Sequence, residues 1–150
     1  MTIRLSTGMR NKLLDGGATG GVKNALNLGF INLYPGSQPL SADTGATGTI
    51  LGTVSVNGDG VTGLGFDAAS AGAISKAAAQ TWRFTGLADG LAGWFRFYAA
   101  GDTPSGTSTT AARIDGSIGS AGADMNITNV NIQTGALSTV DSFTINMPAA

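Results

Sequence analysis

Apolar and polar positions alternate with period two over several short stretches, and glycine-rich polar segments separate them. Phe30-Ile31-Asn32-Leu33-Tyr34 stops at Pro35-Gly36, and Thr49–Val56 stops at Asn57-Gly58-Asp59-Gly60. Alternation bounded by turn residues predicts strands. Leu64, Phe66 and Ala68 suggest a further strand within Val61–Ala73. Ala112–Ile118 reads as a strand with a bulge at Gly116, because glycine inside a strand pattern marks such irregularities. Met125 and Ile127, then Val130 and Ile132, alternate with a phase slip at Asn129, as at a bulge or break. Val140, Phe143, Ile145 and Met147 predict a closing strand ended by Pro148.

Aromatic side chains concentrate in Gln80–Ala99, which holds Trp82, Phe84, Trp94, Phe95, Phe97 and Tyr98. Two alternating runs joined by the Gly/Asp-rich Gly86–Gly93 predict the central hairpin of a β-domain. Its two strands differ. Trp82–Thr85 is apolar on one side, whereas Trp94–Tyr98 carries aromatics on both. Such a strand needs a second cover, either a helix or loop of its own chain or a neighbouring subunit. The neighbour is the expectation, with Trp94, Phe95, Arg96 and Tyr98 as the interface.

The N-terminal segment breaks the β pattern. After a strand-like Thr2-Ile3-Arg4-Leu5, Ser6 or Thr7 is placed to cap a helix through Leu14, with Met9, Leu13 and Leu14 as its apolar side and Gly16-Gly17 as its stop. Gly16–Gly21 reads as a hinge, and Val22–Leu28 as a second helical turn. The expected organisation is an N-terminal arm with a short helix over residues 1–21 and a single β-domain over 22–150. The fold class is all-β, an antiparallel, jelly-roll-like sandwich with a short N-terminal helical segment. Ile3, Arg4, Leu5, Met9, Leu13 and Leu14 are the candidate anchoring residues of the arm.

Composition narrows the chemistry. The 150 residues include 24 glycines and are 42% hydrophobic but only 11% charged, less than half the usual charged share. Every acidic residue is Asp. A net charge of −1 argues against direct nucleic-acid binding, which needs a basic patch. With no Cys and no His, thiol chemistry and the commonest general base and metal ligand are absent. No apolar run reaches the roughly 18 residues of a membrane span, and the N-terminus lacks the apolar core of a signal peptide. The expectation is therefore a protein made and used without secretion by that route, with no membrane partner.

Specific motifs reduce to turn chemistry. Asp59, Asp67, Asp89, Asp102, Asp115, Asp124 and Asp141 mostly sit beside glycine or at strand ends, where Asp forms turns. Nothing in their spacing creates the facing carboxylates of a glycosidase. Asn57-Gly58-Asp59-Gly60 lacks the ligand ladder of a calcium loop. Gly16-Gly17-Ala18-Thr19-Gly20-Gly21 lacks the Lys-Ser/Thr of a phosphate loop. Gly116-Ser117-Ile118-Gly119 falls one residue short of a nucleophile elbow. Asn126-Ile127-Thr128 fits a glycosylation sequon but reads as ordinary strand. Arg83 and Arg96 are assigned to the wetter sheet face rather than to cation–π ligand binding. No catalytic residue, metal ligand or cofactor is assigned.

Several short motifs along nearly the whole chain resemble a family of tailed-bacteriophage virion structural proteins. They are Ile3-Arg4-Leu5-Ser6-Thr7-Gly8 with Arg10-Asn11; Ile31-Asn32-Leu33-Tyr34-Pro35-Gly36-Ser37-Gln38-Pro39 with Ala42-Asp43; Gly52-Thr53; and Ala77-Ala78-Ala79-Gln80-Thr81-Trp82. Gly93-Trp94-Phe95-Arg96, Arg113-Ile114-Asp115-Gly116-Ser117-Ile118-Gly119 and Ser142-Phe143-Thr144-Ile145 with Pro148 complete the likeness. The resemblance implies a non-enzymatic virion component. The first expectation is a capsid decoration protein that forms a homo-oligomer, with a trimer among the possibilities, and binds other virion proteins such as the major capsid protein. The alternative is a tail, collar or fibre component that reads a host-surface carbohydrate through exposed Trp94, Tyr98 and Arg96.

Overall fold

The structure, a computed structural model, describes residues 3–147 and residue 149. Its described elements are β1 (Arg4–Leu5), α1 (Thr7–Asp15), a 3₁₀ turn (Gly17–Thr19), α2 (Gly21–Ala25), β2 (Phe30–Pro35), β3 (Gly52–Val56) and β4 (Ala73–Ser75). They continue with β5 (Trp82–Thr85), β6 (Gly90–Tyr98), β7 (Arg113–Gly119), β8 (Met125–Asn126), β9 (Asn131–Ile132), β10 (Leu137–Val140) and β11 (Thr144–Asn146). The fold is an all-β antiparallel sandwich with a short N-terminal helical segment, as expected. Strands pair in the order β1-β7-β6-β2-β3-β5-β10, with β8 and β9 added to β7 and β6, and β4 and β11 forming a separate pair.

β3 is the corner of the sandwich. Gly52–Val54 pair with β2, whereas Ser55 and Val56 pair with β5. Gly52 fits this corner because a Cβ there would sit 2.5 Å from the Phe84 ring. Asn57 and Gly58, both in the left-handed region, then turn the chain as an Asn-Gly pair favours.

The aromatic stretch is not a hairpin. β5 pairs with β3 and β10, and β6 pairs with β2 and β7. The two strands instead face each other across the core. Trp82 meets Phe97 edge-on at 6.0 Å, and Phe66 and Phe143 close the cluster at 5.5–6.3 Å. Burial of large rings at the sandwich centre outweighs the local turn signal, since each ring removes about 150–250 Å² from water.

Three other strand expectations change. β7 runs through Gly116 in regular register with β6, Gly116 opposite Phe95. Gly116 serves packing rather than a bulge: a Cβ there would lie 2.7 Å from the Phe95 ring. The expected closing strand is two strands, β10 and β11, broken at 141–143, where Val140 and Phe143 lose the period of two; Pro148 lies outside the described residues. Leu64 and Phe66 form only isolated bridges, to Gly29 and Lys76.

The N-terminal segment belongs to the domain rather than to a detachable arm. β1 pairs with β7, and Met9 is fully buried in the core. Ser6 caps α1 by accepting the Met9 amide, accepts the Arg113 amide and donates to the Ala111 carbonyl. Gly8 lies so close to the Thr110 backbone that a side chain has no room. Met1 and Thr2 lie outside the described residues.

Candidate functional site

The largest concentration of polar chemistry is a layer on the outer face of β6, opposite the aromatic core. Alternation in β6 sends Phe95 and Phe97 inward and Trp94, Arg96 and Tyr98 outward. The register places Asp115 opposite Arg96, Arg113 opposite Tyr98, Asn32 opposite Arg96 and Tyr34 opposite Trp94. Sequence reasoning missed this set, because Arg96 and Asp115 pair only once β6 and β7 are adjacent.

Arg96 is wholly buried, as is Asp115. Its Nε and Nη2 donate to the two carboxylate oxygens at 2.7 Å each, and its Nη1 donates to the Thr44 and Pro104 carbonyls at 2.8 and 2.9 Å. Arg113 repeats the pattern. Nε and Nη2 bond to Asp102 at 2.6 and 2.8 Å, and Nη1 donates to the Gly106 carbonyl at 2.8 Å. Planar guanidinium forks suit such bidentate recognition.

Both arginines bind the same two loops, 36–51 and 99–112. The loops also bond to each other, Ala46 N–H to the Pro104 carbonyl and Ser108 N–H to the Asp43 carbonyl. Asp43 in turn accepts from the Thr7 amide and hydroxyl at 2.7 Å, and Arg4 donates to the Gln38 and Pro39 carbonyls. The loops therefore form a lid riveted to the sheet by buried charge.

Aromatic groups complete the layer. Tyr34 stacks on Trp94 at 4.4 Å, and the Arg96 guanidinium lies 5.7 Å from the Trp94 ring centre. Asn32 donates to the Tyr34 hydroxyl and accepts from Thr53. Burial raises the Tyr98 hydroxyl to about 12, with Tyr34 and Asp102 adding to the rise. Burial likewise pushes the Tyr34 hydroxyl up. It also pushes the Asp115 carboxyl up, against the hydrogen bonds and charge of Arg96.

These contacts correct the expected interface. Trp94 is 2% exposed, Phe95 and Arg96 are 0% exposed, and Tyr98 is half-buried. The second face of β6 is covered by loops of the same chain, so Trp94 and Arg96 offer no surface to a subunit or a sugar. Arg96 also does not lie on a wetter face. Arg83 differs from it: among the described residues it joins neither ion pair, and its buried Nε has no hydrogen-bond partner.

The expected anchoring residues divide. Ile3, Leu5 and Leu13 line an apolar groove of about 490 Å³ with Ile114, Phe143 and Ile145. Met9 is core, Arg4 holds the lid, and Leu14 projects into solvent. Leu87, Leu91 and Leu137 are also exposed. Leu137 opens β10 at the other end of the pairing order, Leu87 lies in the 86–89 segment that bonds to Leu51, Gly135 and Ala136, and Leu91 lies in β6 opposite Asn131 of β9.

Among the described residues, no three His, Cys, Asp or Glu side chains group to hold a metal ion, and no helix is long and apolar enough to cross a membrane. No family model, curated protein or solved structure matches the chain.

Proposed function

We propose that this chain is a non-enzymatic structural component of a tailed-phage virion, a capsid decoration protein that works as a homo-oligomer beside the major capsid protein. The observation that carries this reading is how the polar side chains are used. The two buried arginines and their aspartates have every strong hydrogen bond directed at each other or at loop backbone, so that even Asp102 and Arg113, which line an open pocket of about 510 Å³, have their charge committed to the fold. Chemistry spent on fixing loops suits a part whose work is to hold shape.

Two features support it. The charge-poor composition and the exposed side chains of Leu14, Leu40, Leu87, Leu91 and Leu137 match a surface that is covered in an assembly. The sequence motifs resemble virion structural proteins.

Quantitative mass spectrometry of purified particles tests the reading. Hundreds of copies per particle are expected for capsid decoration. A few copies per particle would move the chain to a collar or fibre, and absence from particles would overturn the virion role.

A further inference from the structure

We infer that the free edge of β10 is a homotypic pairing edge, through which two copies of this chain join their sheets about a twofold axis. Such pairing goes beyond the virion reading and holds whatever particle the protein serves.

The sheet path has two ends, and they are treated differently. At the β1 end, the edge strand is two residues long, carries a charge at Arg4, and runs directly into α1. Its guanidinium is bonded to the loop carbonyls of Gln38 and Pro39. Shortness, charge and cover are the usual ways of blunting an edge. At the other end, β10 reads Leu137-Ser138-Thr139-Val140 and pairs only with β5. It has no charge, no proline and no bulge. Among the described residues, nothing outside the β5 ladder hydrogen-bonds to its backbone.

Leu137, Ser138 and Thr139 of that strand line a groove of about 340 Å³ together with Thr128, Asn129, Asn131, Gln133 and Ala136, and every residue lining it is uncharged. Leu137, 59% exposed, stands at its rim.

The asymmetry of the two ends selects the occupant. Pairing β10 with the β1 end of another copy would build an open filament, but the β1 end is shielded. Pairing β10 with β10 is self-complementary and closes as a dimer. The edge carries no charge, so two identical edges meet without repulsion. Each copy also brings opposite charges to the pairing site. Arg83 stands opposite Thr139, Asp141 immediately follows β10, and among the described residues neither joins an ion pair. A twofold axis sets each copy's Asp141 towards the other's Arg83 side of the sheet.

The register also dictates the test. A twofold axis normal to the sheet keeps odd positions on one face, so position 137 or 139 of one copy meets 137 or 139 of the other. Leu137→Glu/Thr139→Glu therefore opposes carboxylates across the dimer. Within one copy, Thr139 lies opposite Arg83, so a carboxylate introduced at that position is favourable for folding.

Sedimentation equilibrium reads the outcome. The wild type is expected at twice 14.9 kDa, and the double variant at the monomer mass with an unchanged circular dichroism spectrum. Its dissociation constant should rise at least about tenfold, equivalent to about 1.4 kcal/mol. Leu40→Glu, at a position 93% exposed and far along the chain in the lid loop, should leave the dimer intact. Hydrogen exchange on the wild type gives an answer independent of mutant folding: amides of 137–140 should slow as concentration rises through the dimer range. A wild type that stays monomeric at about 100 µM, a double variant that still dimerises, or exchange at 137–140 that ignores concentration overturns the inference.

Discussion

On one face of β6, Phe95 and Phe97 meet Trp82, Phe66 and Phe143 in a packed aromatic core. On the other, Trp94 and Arg96 lie beneath two loops, joined to Asp115, Tyr34 and Thr44. Both faces are dry, and one strand supplies both. The core face is held by removal of apolar area from water and by ring packing, which need only shape. The outer face holds charge out of water, which is tolerated only because nearly every donor has a partner. The difference is one of fault tolerance: the core can relax around a lost methylene, whereas the ionic layer leaves a bare charge if one member goes.

The two faces should part most clearly in Arg96→Ala. It strands the buried Asp115 carboxylate, and removing one partner of such a pair costs about 3–5 kcal/mol. Chemical denaturation should show that loss, and limited proteolysis should cut the loop at 99–112 while the core stays resistant. Phe97→Ala should cost a similar amount, about 3–5 kcal/mol, without selective cleavage of the lid. If both variants give the same proteolytic pattern, the two faces are not distinct.

Arg96→Met/Asp115→Leu separates the loss of charge from the loss of packing. Replacing a buried ion pair by apolar groups of similar volume is often neutral or stabilising by about 1–4 kcal/mol. Here the Thr44 carbonyl loses its Arg96 donor and the Pro104 carbonyl keeps only the Ala46 N–H, which offsets part of that gain. The double variant should therefore be more stable than Arg96→Ala by about 2 kcal/mol or more in the same denaturation assay.

Ser6→Ala should have a smaller effect, about 1–2 kcal/mol from the lost helix cap. Its hydroxyl also ties α1 to the Arg113 amide, so hydrogen exchange at Met9 and Arg113 should quicken together. Separate responses would mean that α1 is not fastened to β7 through this oxygen.

The smallest effect is a pH dependence away from both faces. Asp89 accepts from the Thr134 amide and hydroxyl, and those bonds hold its carboxyl below the ordinary value of 3.8. A depressed folded value means that its stabilisation is present above the unfolded value and disappears as pH falls through the folded one. Wild type should thus melt slightly higher than Asp89→Asn near neutrality, and the gap should close on acidification below about pH 4. A gap that widens in acid contradicts the assignment.

Local pattern made much of the sandwich legible. β2, β3, β5, β6 and β7 follow from alternation between turn residues, and Ser6 is legible as a cap because its position before the apolar Met9 satisfies an orphan amide. Strand partnership was not legible. Trp82–Thr85 and Gly90–Tyr98 are neighbours in sequence with a turn between them, which is the signature of a hairpin, yet they oppose each other across the core. The choice depends on where Phe143 and Phe66 arrive, and they come from distant parts of the chain. The ionic layer was hidden for the same reason. Arg96 and Asp115 are 19 positions apart, and the lid over them comes from two loops, at 36–51 and 99–112, that carry no strand or helix pattern of their own. The two-sided aromatic pattern of Trp94–Tyr98 did announce a second cover. It could not say that the cover was the chain's own.

Closure of β6 on both faces by its own chain is open to direct observation, because Trp82 reports on the core face and Trp94 on the outer one. Emission and acrylamide quenching should be followed while the protein is diluted from the highest to the lowest concentration of the sedimentation experiment. Blue-shifted emission with low quenching at every concentration is the expected result, since Trp82 and Trp94 are both covered by their own chain. A red shift with new quencher access on dilution would mean that Trp94 is covered by a neighbour, and the outer face would then be a subunit interface rather than a closed layer.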